Sequence, residues 1–216
     1  MAKIGVSKPY YALYNATGNT VTYSDGGVLG RATSVDLTIN TSEDNNLYAD
    51  NGIAETDRAF TDGTLTLGTD DLSQDVSKAI LGATANPLGE IDGVTDKDTS
   101  ELIYDDNMTY PYLGVGFIVK GQYMNAPYFR GVVLPKVMFS VPGDAAETQG
   151  ETIEWQTPEL TATILRDDTV GHVWKREARF TTEPQAEAYI KSLLNITAAA
   201  PAVYSARKAA ARNNEV

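Results

Sequence analysis

Leu47–Leu72 reads LYADNGIAETDRAFTDGTLTLGTDDL, and three local signals meet in it. Leu47 and Tyr48 end one strand-like stretch. A long loop follows that still carries Ile53, Ala54 and Phe60. Thr64-Leu65-Thr66-Leu67 then alternates polar and apolar, as a half-buried strand does, and runs into Asp70 and Asp71, which read as a helix cap. A connection with no other role would be polar throughout. Apolar surface left wet costs about 25 cal/mol per Å², so the loop either folds back on its own domain or is covered by another molecule.

The same alternation extends in both directions. Tyr10–Tyr14 predicts a first strand. Thr20–Tyr23 and Val28-Leu29 flank Asp25-Gly26-Gly27, whose glycines supply positive φ cheaply and predict a hairpin turn. Val35, Leu37 and Ile39 alternate with Ser34, Asp36, Thr38 and Asn40. Tyr112–Lys120 and Phe129–Val141 are long runs rich in Val and Phe. Ile153 and Trp155, then Leu160, Ala162 and Ile164, alternate again before Val173–Thr181 closes the series. The spacing predicts a mainly β two-sheet sandwich or barrel of about eight to ten mostly antiparallel strands with one or two flanking helices. The helix starts are Asp71-x-x-Gln74, leading to Val76, Ile80, Leu81 and a stop at Gly82, and the capping box Thr182-x-x-Gln185. Behind the second, Ala186, Tyr189, Ile190, Leu193 and Leu194 form a stripe that packs on one sheet. One β domain over 1–196 is expected, with a long loop at 41–62, an acidic insertion at 83–107 and an Ala-rich basic extension at 197–216.

A chain of 216 residues with 42% hydrophobic residues can bury a sizeable core. It has no cysteine, which removes disulfides, thiolate metal sites and thiol catalysis and fits a cytoplasmic setting. No apolar run is long enough for a signal peptide or a membrane span, so no membrane insertion is expected. The formal net charge is −12. Arg207, Lys208 and Arg212 against Glu215 give residues 197–216 a net of +2, so the remainder carries −14. Such a body repels phosphate instead of gripping it. That charge serves solubility alone, or marks a surface past which nucleic acid slides.

The insertion carries Glu90, Asp92, Asp96, Asp98, Glu101, Asp105 and Asp106, but Glu101 stands where a calcium loop needs glycine, so a solvated loop is expected and no metal. The single histidine, His172, sits at a turn without the acid and serine of a triad. A carboxylate pair for glycoside hydrolysis cannot be chosen among 29 acidic residues. Gly114-Val115-Gly116 lies inside an apolar strand and is no nucleotide loop, and neither a P-loop nor a zinc motif is present. No catalytic role and no cofactor are expected.

Opposite the apolar sets lie Asp36, Thr38, Asn40, Thr64, Thr66, Thr152, Glu154, Gln156, Thr161 and Thr163. Threonine keeps β propensity while offering a hydroxyl. These positions fit an ordinary solvent face, as antiparallel sheets show; the resemblance given below implies instead that one such face is the wall of a channel.

Several segments carry a resemblance: Met1–Gly5, LYADNGIAE at 47–55, GTLTLGTDDL at 63–72, LPKV at 134–137 and GETIEWQTPEL at 150–160. In this order they resemble the major tail protein of long-tailed, non-contractile bacteriophages, across residues 1 to 195. The chain departs from that pattern in its acidic stretch at 84–108 and its tail after Asn195. The resemblance implies a β-sandwich with a flanking helix, whose inner sheets join edge to edge in hexameric rings that stack into a tube. It implies a virion tail assembled in the host cytoplasm. The implied partners are further copies of the chain, a tape measure protein, a tail terminator and a distal tail protein, with double-stranded DNA passing through unbound. It also implies that Leu47, Tyr48, Asp50, Ile53, Ala54 and Phe60 meet a neighbouring subunit or ring, and that Asp36, Thr38, Asn40, Thr152, Glu154 and Gln156 face the lumen. Two other readings stay open: a monomeric β-sandwich binding or adhesion module, and the tube protein of a contractile injection system.

Overall fold

The computed structural model describes residues 2–87, 100–143, 148 and 157–197. It is mainly β. Along the chain come β1 (Ala2–Thr17), β2 (Thr20–Val28), β3 (Ala32–Thr41), β4 (Asn45–Ala49), β5 (Gly52–Asp57), β6 (Phe60–Thr69), α1 (Gln74–Leu81) and β7 (Thr84–Pro87). After these follow β8 (Ser100–Ile103), β9 (Leu113–Tyr123), β10 (Ala126–Phe139), β11 (Glu159–Leu165), β12 (Arg176–Phe180) and α2 (Glu183–Leu193). One antiparallel sheet runs β2-β1-β9-β10-β11-β6-β3, and β12 also pairs with β10. The branch arises because β10 is long: Lys136–Phe139 bind β11, while Phe129–Val133 bind β12. The pairs β4–β5 and β7–β8 stand as separate two-stranded hairpins.

Alternation decides which way each strand faces. Leu65, Leu67, Val115, Phe117, Val132, Leu134, Leu160, Ala162 and Ile164 bury one side of the sheet as the main core, with Ile80 and Leu81 of α1. Val35, Leu37 and Ile39 pack against it from β3. The opposite side of the β1-β9-β10 region is covered by α2, where Ala186, Ile190 and Leu194 meet Tyr10, Ala12, Ile118 and Val133. The helix comes close because glycines floor its groove. A Cβ on Gly116 would lie 2.4 Å from Ile190 Cγ2, and one on Gly114 would lie 2.6 Å from Leu194 Cδ2. That is the structural role of Gly114-Val115-Gly116.

Three local expectations are corrected. Asp25-Gly26-Gly27 is not a turn. β2 runs through it to Val28, the hairpin turns at Gly18 (φ 59), and Asp25 (φ 48) marks a bulge where the register against β1 shifts. Packing explains the glycines there, since a Cβ on Gly26 would meet Ile196 at 2.5 Å. The cap of α1 is Ser73, whose Oγ accepts from Val76 N at 3.4 Å, not Asp71. Thr182 does occupy the cap position of α2, but its side chain makes no capping bond; Thr181 Oγ1 bonds Gln185 Oε1 at 3.1 Å instead. The strand number exceeds the expected range because 41–62 and 83–107 each contain a hairpin. In the second, Thr84–Pro87 pair with Ser100–Ile103, and residues 88–99 lie outside the described residues.

An ionic cluster fastens α2 to β1. Glu187 accepts from Lys8 Nζ at 2.5 Å and from Tyr10 Oη at 2.8 Å, and pairs with Lys191 at 2.6 Å. Burial works to raise the Glu187 carboxyl, but the bonds from Lys191, Lys8 and Tyr10 outweigh it and hold it at about 2 instead of 4.5. Burial, then the bond to Glu187, pushes the Tyr10 phenol from 10.0 up to about 12. A depressed acid stabilises above its unfolded value and loses that contribution as pH falls through its folded one; a raised phenol loses its contribution as pH climbs between the two. The cluster therefore holds fully between 4.5 and 10.0, fading towards about 2 and about 12. Urea unfolding at about pH 7 and about pH 3 checks this: Glu187→Gln should start less stable than the wild type and lose less on acidification. Equal losses in both proteins would remove Glu187 from the account.

Candidate functional site

Two surfaces remain after the cores are filled. The first is the outward side of β3, β6 and β11. Register aligns its residues in rows across the strands: Asp36 beside Thr66 beside Thr161, and Thr38 beside Thr64 beside Thr163. Asn40 opposes Asp62 and donates Nδ2–H to its Oδ1 at 2.7 Å. Ser140 extends the first row, its backbone N donating to Thr161 O at 3.0 Å. Glu159 adds a further carboxylate at the end of β11. No lysine or arginine occurs anywhere in these three strands. Asp36, Thr38, Asn40, Thr64 and Thr163 are exposed, while Thr66 and Thr161 are half-buried. These three strands are thus hydroxyl-rich and acidic and carry no cation of their own; the nearest on this side is Lys136 of β10, beside Leu165 and paired with Asp168 at 2.7 Å.

Of the residues expected on a lumen wall, Asp36, Thr38 and Asn40 come together here. Thr152, Glu154 and Gln156 lie outside the described residues. Asp62, Glu159 and Ser140 were not singled out in the sequence as lumen candidates. Alternation within β6 and β11 puts Asp62 beside Thr64 and Glu159 beside Thr161 on this face, whereas Ser140 joins it only through its register with Thr161.

The second surface is an arm. The β3–β6 ladder continues past Thr41 and Phe60 into β4 and β5, so the 41–62 stretch is a hairpin, not an irregular loop. Ser42 N donates to Ala59 O at 2.8 Å, and Arg58 donates from Nε and Nη2 to the two Asp44 oxygens at 2.6 and 2.7 Å. The tip turns through Asp50 (φ 50) and Asn51 (φ 62), with Ala49 pairing Gly52. Positive φ at both central residues is the type I′ geometry that matches strand twist.

The apolar residues of the stretch divide. Phe60 is half-buried, its ring stacked on Trp174 at 4.6 Å between centroids and 4° between planes. Arg166 reaches the Phe60 carbonyl and lies over its ring. Phe60 is therefore covered by its own domain. Leu47, Tyr48 and Ile53 are 59%, 67% and 58% exposed, Ala54 and Asp50 are exposed too, and Tyr48 opposes Ile53 in the ladder.

Other candidate chemistry is spent on scaffolding. His172 is an exposed turn residue at φ 46 whose Nδ1 lies 3.2 Å from Asp167 O. Buried Asp167 accepts from Val173 N at 2.7 Å and from Thr169 Oγ1 at 2.6 Å, which shapes that turn. The hydrogen bond from Lys136, then that from Tyr14, holds the Asp168 carboxyl below its usual value, and Lys136 lies over the Tyr14 and Tyr112 rings. A half-open depression of 420 Å³ is lined by Val21, Tyr23, Val133, Pro135, Arg176 and Leu193. At its rim Tyr23 Oη donates to Pro135 O at 3.0 Å and Asn195 Nδ2 to Tyr23 O at 3.1 Å, so these groups are already engaged. Among the described residues no three His, Cys, Asp or Glu side chains are grouped to hold a metal, and no helix is long and apolar enough to cross a membrane. Glu90, Asp92, Asp96 and Asp98 of the acidic insertion lie outside the described residues.

No protein-family model matches the chain, and no curated protein matches it in sequence.

The division of apolar residues is measurable. Phe60→Ala should cost about 1–3 kcal/mol, as loss of a stacked, partly buried ring does. Tyr48→Ala and Ile53→Ser should stay within about 0.5 kcal/mol, as exposed substitutions do. Urea unfolding of the three variants decides it; a large loss at Tyr48 would mean that the arm is packed on the body.

Proposed function

We propose that this chain is a structural subunit of a phage tail tube, in which six copies form a ring and rings stack around the channel for the viral genome. The observation that carries the proposal is the hydroxyl-rich, acidic and cation-free face of β3, β6 and β11. Duplex DNA carries one negative charge per ~1.7 Å of axis, and proteins that hold it neutralise phosphates with Lys and Arg. A wall of Thr, Ser and Asn hydrates well, and Asp36, Asp62 and Glu159 repel phosphate, so a passing duplex finds nowhere to stop. The work is geometric and electrostatic, without catalysis or a cofactor.

The arm supports self-association. Wet side chains at Leu47, Tyr48 and Ile53 gain about 25 cal/mol for each Å² that a neighbouring copy covers. Ring closure would also pair sheet edges β2 and β3, which have no further strand beside them among the described residues. In the virion the lumen would first hold a tape measure protein, with a tail terminator and a distal tail protein at the tube's ends; these partners rest on the sequence resemblance alone.

Negative-stain microscopy of the concentrated protein should reveal rings or rods, and deleting 45–57 should leave a folded monomer. A wild-type protein that stays monomeric at every concentration would sink the reading. A second measurement addresses the wall. Thr38→Lys, Thr64→Lys and Thr161→Lys together should leave the subunit folded and make it bind short duplex DNA with an affinity that falls steeply with salt. The wild type should show no such binding; tight binding by the wild type would contradict a passage lining.

A further inference from the structure

Two tight turns of the chain share one design. The arm turns through Asp50 (φ 50) and Asn51 (φ 62), and the β9–β10 hairpin turns through Met124 (φ 46) and Asn125 (φ 66). Each puts an exposed asparagine at the second central position of a two-residue turn. The residue that follows differs: Asn51 precedes Gly52, and Asn125 precedes Ala126. Asn51-Gly52 is also the one Asn-Gly pair in the sequence.

The surroundings differ as well. Asn125 Oδ1 accepts from Gln122 Nε2 at 3.1 Å, which holds its carboxamide. Among the described residues nothing is hydrogen-bonded to the Asn51 side chain. Space beside Gly52 is open, because a Cβ there would meet nothing nearer than Ala49 O at 3.9 Å. The support beneath the turns differs most. β9 and β10 lie inside the main sheet, between β1 and β11, with β12 also on β10. β4 and β5 pair only with each other. Two strands without a third are marginally stable in water, so the arm's turn opens far more often than the turn at 124–125.

We propose that Asn51 is a site of spontaneous deamidation through a cyclic imide, with water as co-reactant. The nucleophile is the Gly52 backbone nitrogen. It gives its proton to hydroxide and attacks Asn51 Cγ, which forms a C–N bond and closes a five-membered ring. The side-chain nitrogen leaves as ammonia, taking a proton from water. A water molecule then opens the imide at either carbonyl and leaves aspartate or isoaspartate. The balance is carboxamide plus water to carboxylic acid plus ammonia, with no change of oxidation state. Asparagine is among the thermolabile residues for such reasons. Gly52 favours the step, since without a Cβ it neither shields its nitrogen nor restricts its backbone. Closing the ring requires the 51–52 peptide to rotate out of the turn, which a loosely supported arm allows and the β9–β10 turn resists.

The inference stands apart from the self-assembly proposed above, but its product falls on the same arm. A new carboxylate arises beside Asp50, in a stretch 43–58 that already sets Glu43, Asp44, Asp50, Glu55 and Asp57 against Arg58. Isoaspartate also lengthens the backbone of a two-residue turn, and turn length fixes hairpin register.

Peptide mapping by mass spectrometry, on folded protein held at mildly alkaline pH, tests it. The peptide holding Asn51 should gain about one dalton and separate into aspartate and isoaspartate forms, with fragmentation placing the change at Asn51. Asn125 should react at least about tenfold more slowly, as should Asn51 in Gly52→Ala, where a side chain shields the nucleophile. Circular dichroism checks that this variant keeps the fold; if it does not, the comparison with Asn125 inside the wild-type chain still decides. Equal rates at Asn51 and Asn125 overturn the proposal. So does an Asn51 that stays intact in the folded protein while urea-unfolded protein deamidates there, because the turn then protects it. Monomeric protein suffices throughout, so a failure of assembly leaves this test untouched.

Discussion

Burial of one side of the sheet is the constraint from which the other features follow. Once Leu65, Leu67, Leu160, Ala162 and Ile164 are committed to the core, strand register has no freedom left, because a slip of one residue would turn every one of them to water. The outward residues are then fixed as well. Thr64 must stand between Thr38 and Thr163, and Thr66 between Asp36 and Thr161. The polar face is therefore a consequence of the core, and its composition is what remained for other pressures to choose. Ten positions could have been filled with lysine as easily as threonine in an ordinary solvent face. That β3, β6 and β11 contain neither Lys nor Arg, a lack they share with β2, β4, β5, β7 and β8, is not dictated by burial.

The alternating strands were legible because their signal is local. Val35, Leu37 and Ile39 point inward and Asp36, Thr38 and Asn40 outward, as their spacing predicts. The hairpin turns are harder to place, because glycine count alone does not report turn chemistry. Asp25-Gly26-Gly27 holds the stronger glycine signal, yet its glycines make room for Ile196 and the Tyr11 ring, while a single Gly18 turns the hairpin. Conversely, Asp50-Asn51-Gly52 offers two residues that tolerate positive φ and was read as loop, because Leu47, Tyr48 and Ile53 on either side lack a buried partner face. A two-stranded arm whose apolar side chains stay exposed gives no alternation to read. Its reason for being a strand lies in its turn and in whatever covers it.

Phe60 and Trp174 illustrate a different limit. They stand far apart in sequence, and only the fold stacks their rings. The stack separates a residue that completes its own domain from three neighbours that do not, a distinction invisible in a stretch where all four look alike. In the same way, Gly114 and Gly116 acquire a meaning only when Ile190 and Leu194 are laid across them. An apolar strand with two glycines looks weakened in isolation; under a helix it is the groove that admits it.

Electrostatics joins the face to the arm. A chain with a net charge of −12 repels copies of itself, and the ring formation proposed above would bring those charges closer. If the proposed assembly forms, attraction at the contact must exceed that repulsion. Among the described strands, Lys and Arg occur in β1, β9, β10 and β12 and are missing from β3, β6 and β11, as they are from β2, β4, β5, β7 and β8. Screening shortens the range of both effects to about 8 Å at physiological salt, so the repulsion between distant faces fades while close pairs at a partly dried contact persist. The same net charge is thus compatible with the proposed assembly, provided basic residues at the contact meet carboxylates directly. An arm rich in Asp and Glu, carrying apolar groups that need covering, supplies both requirements in one hairpin.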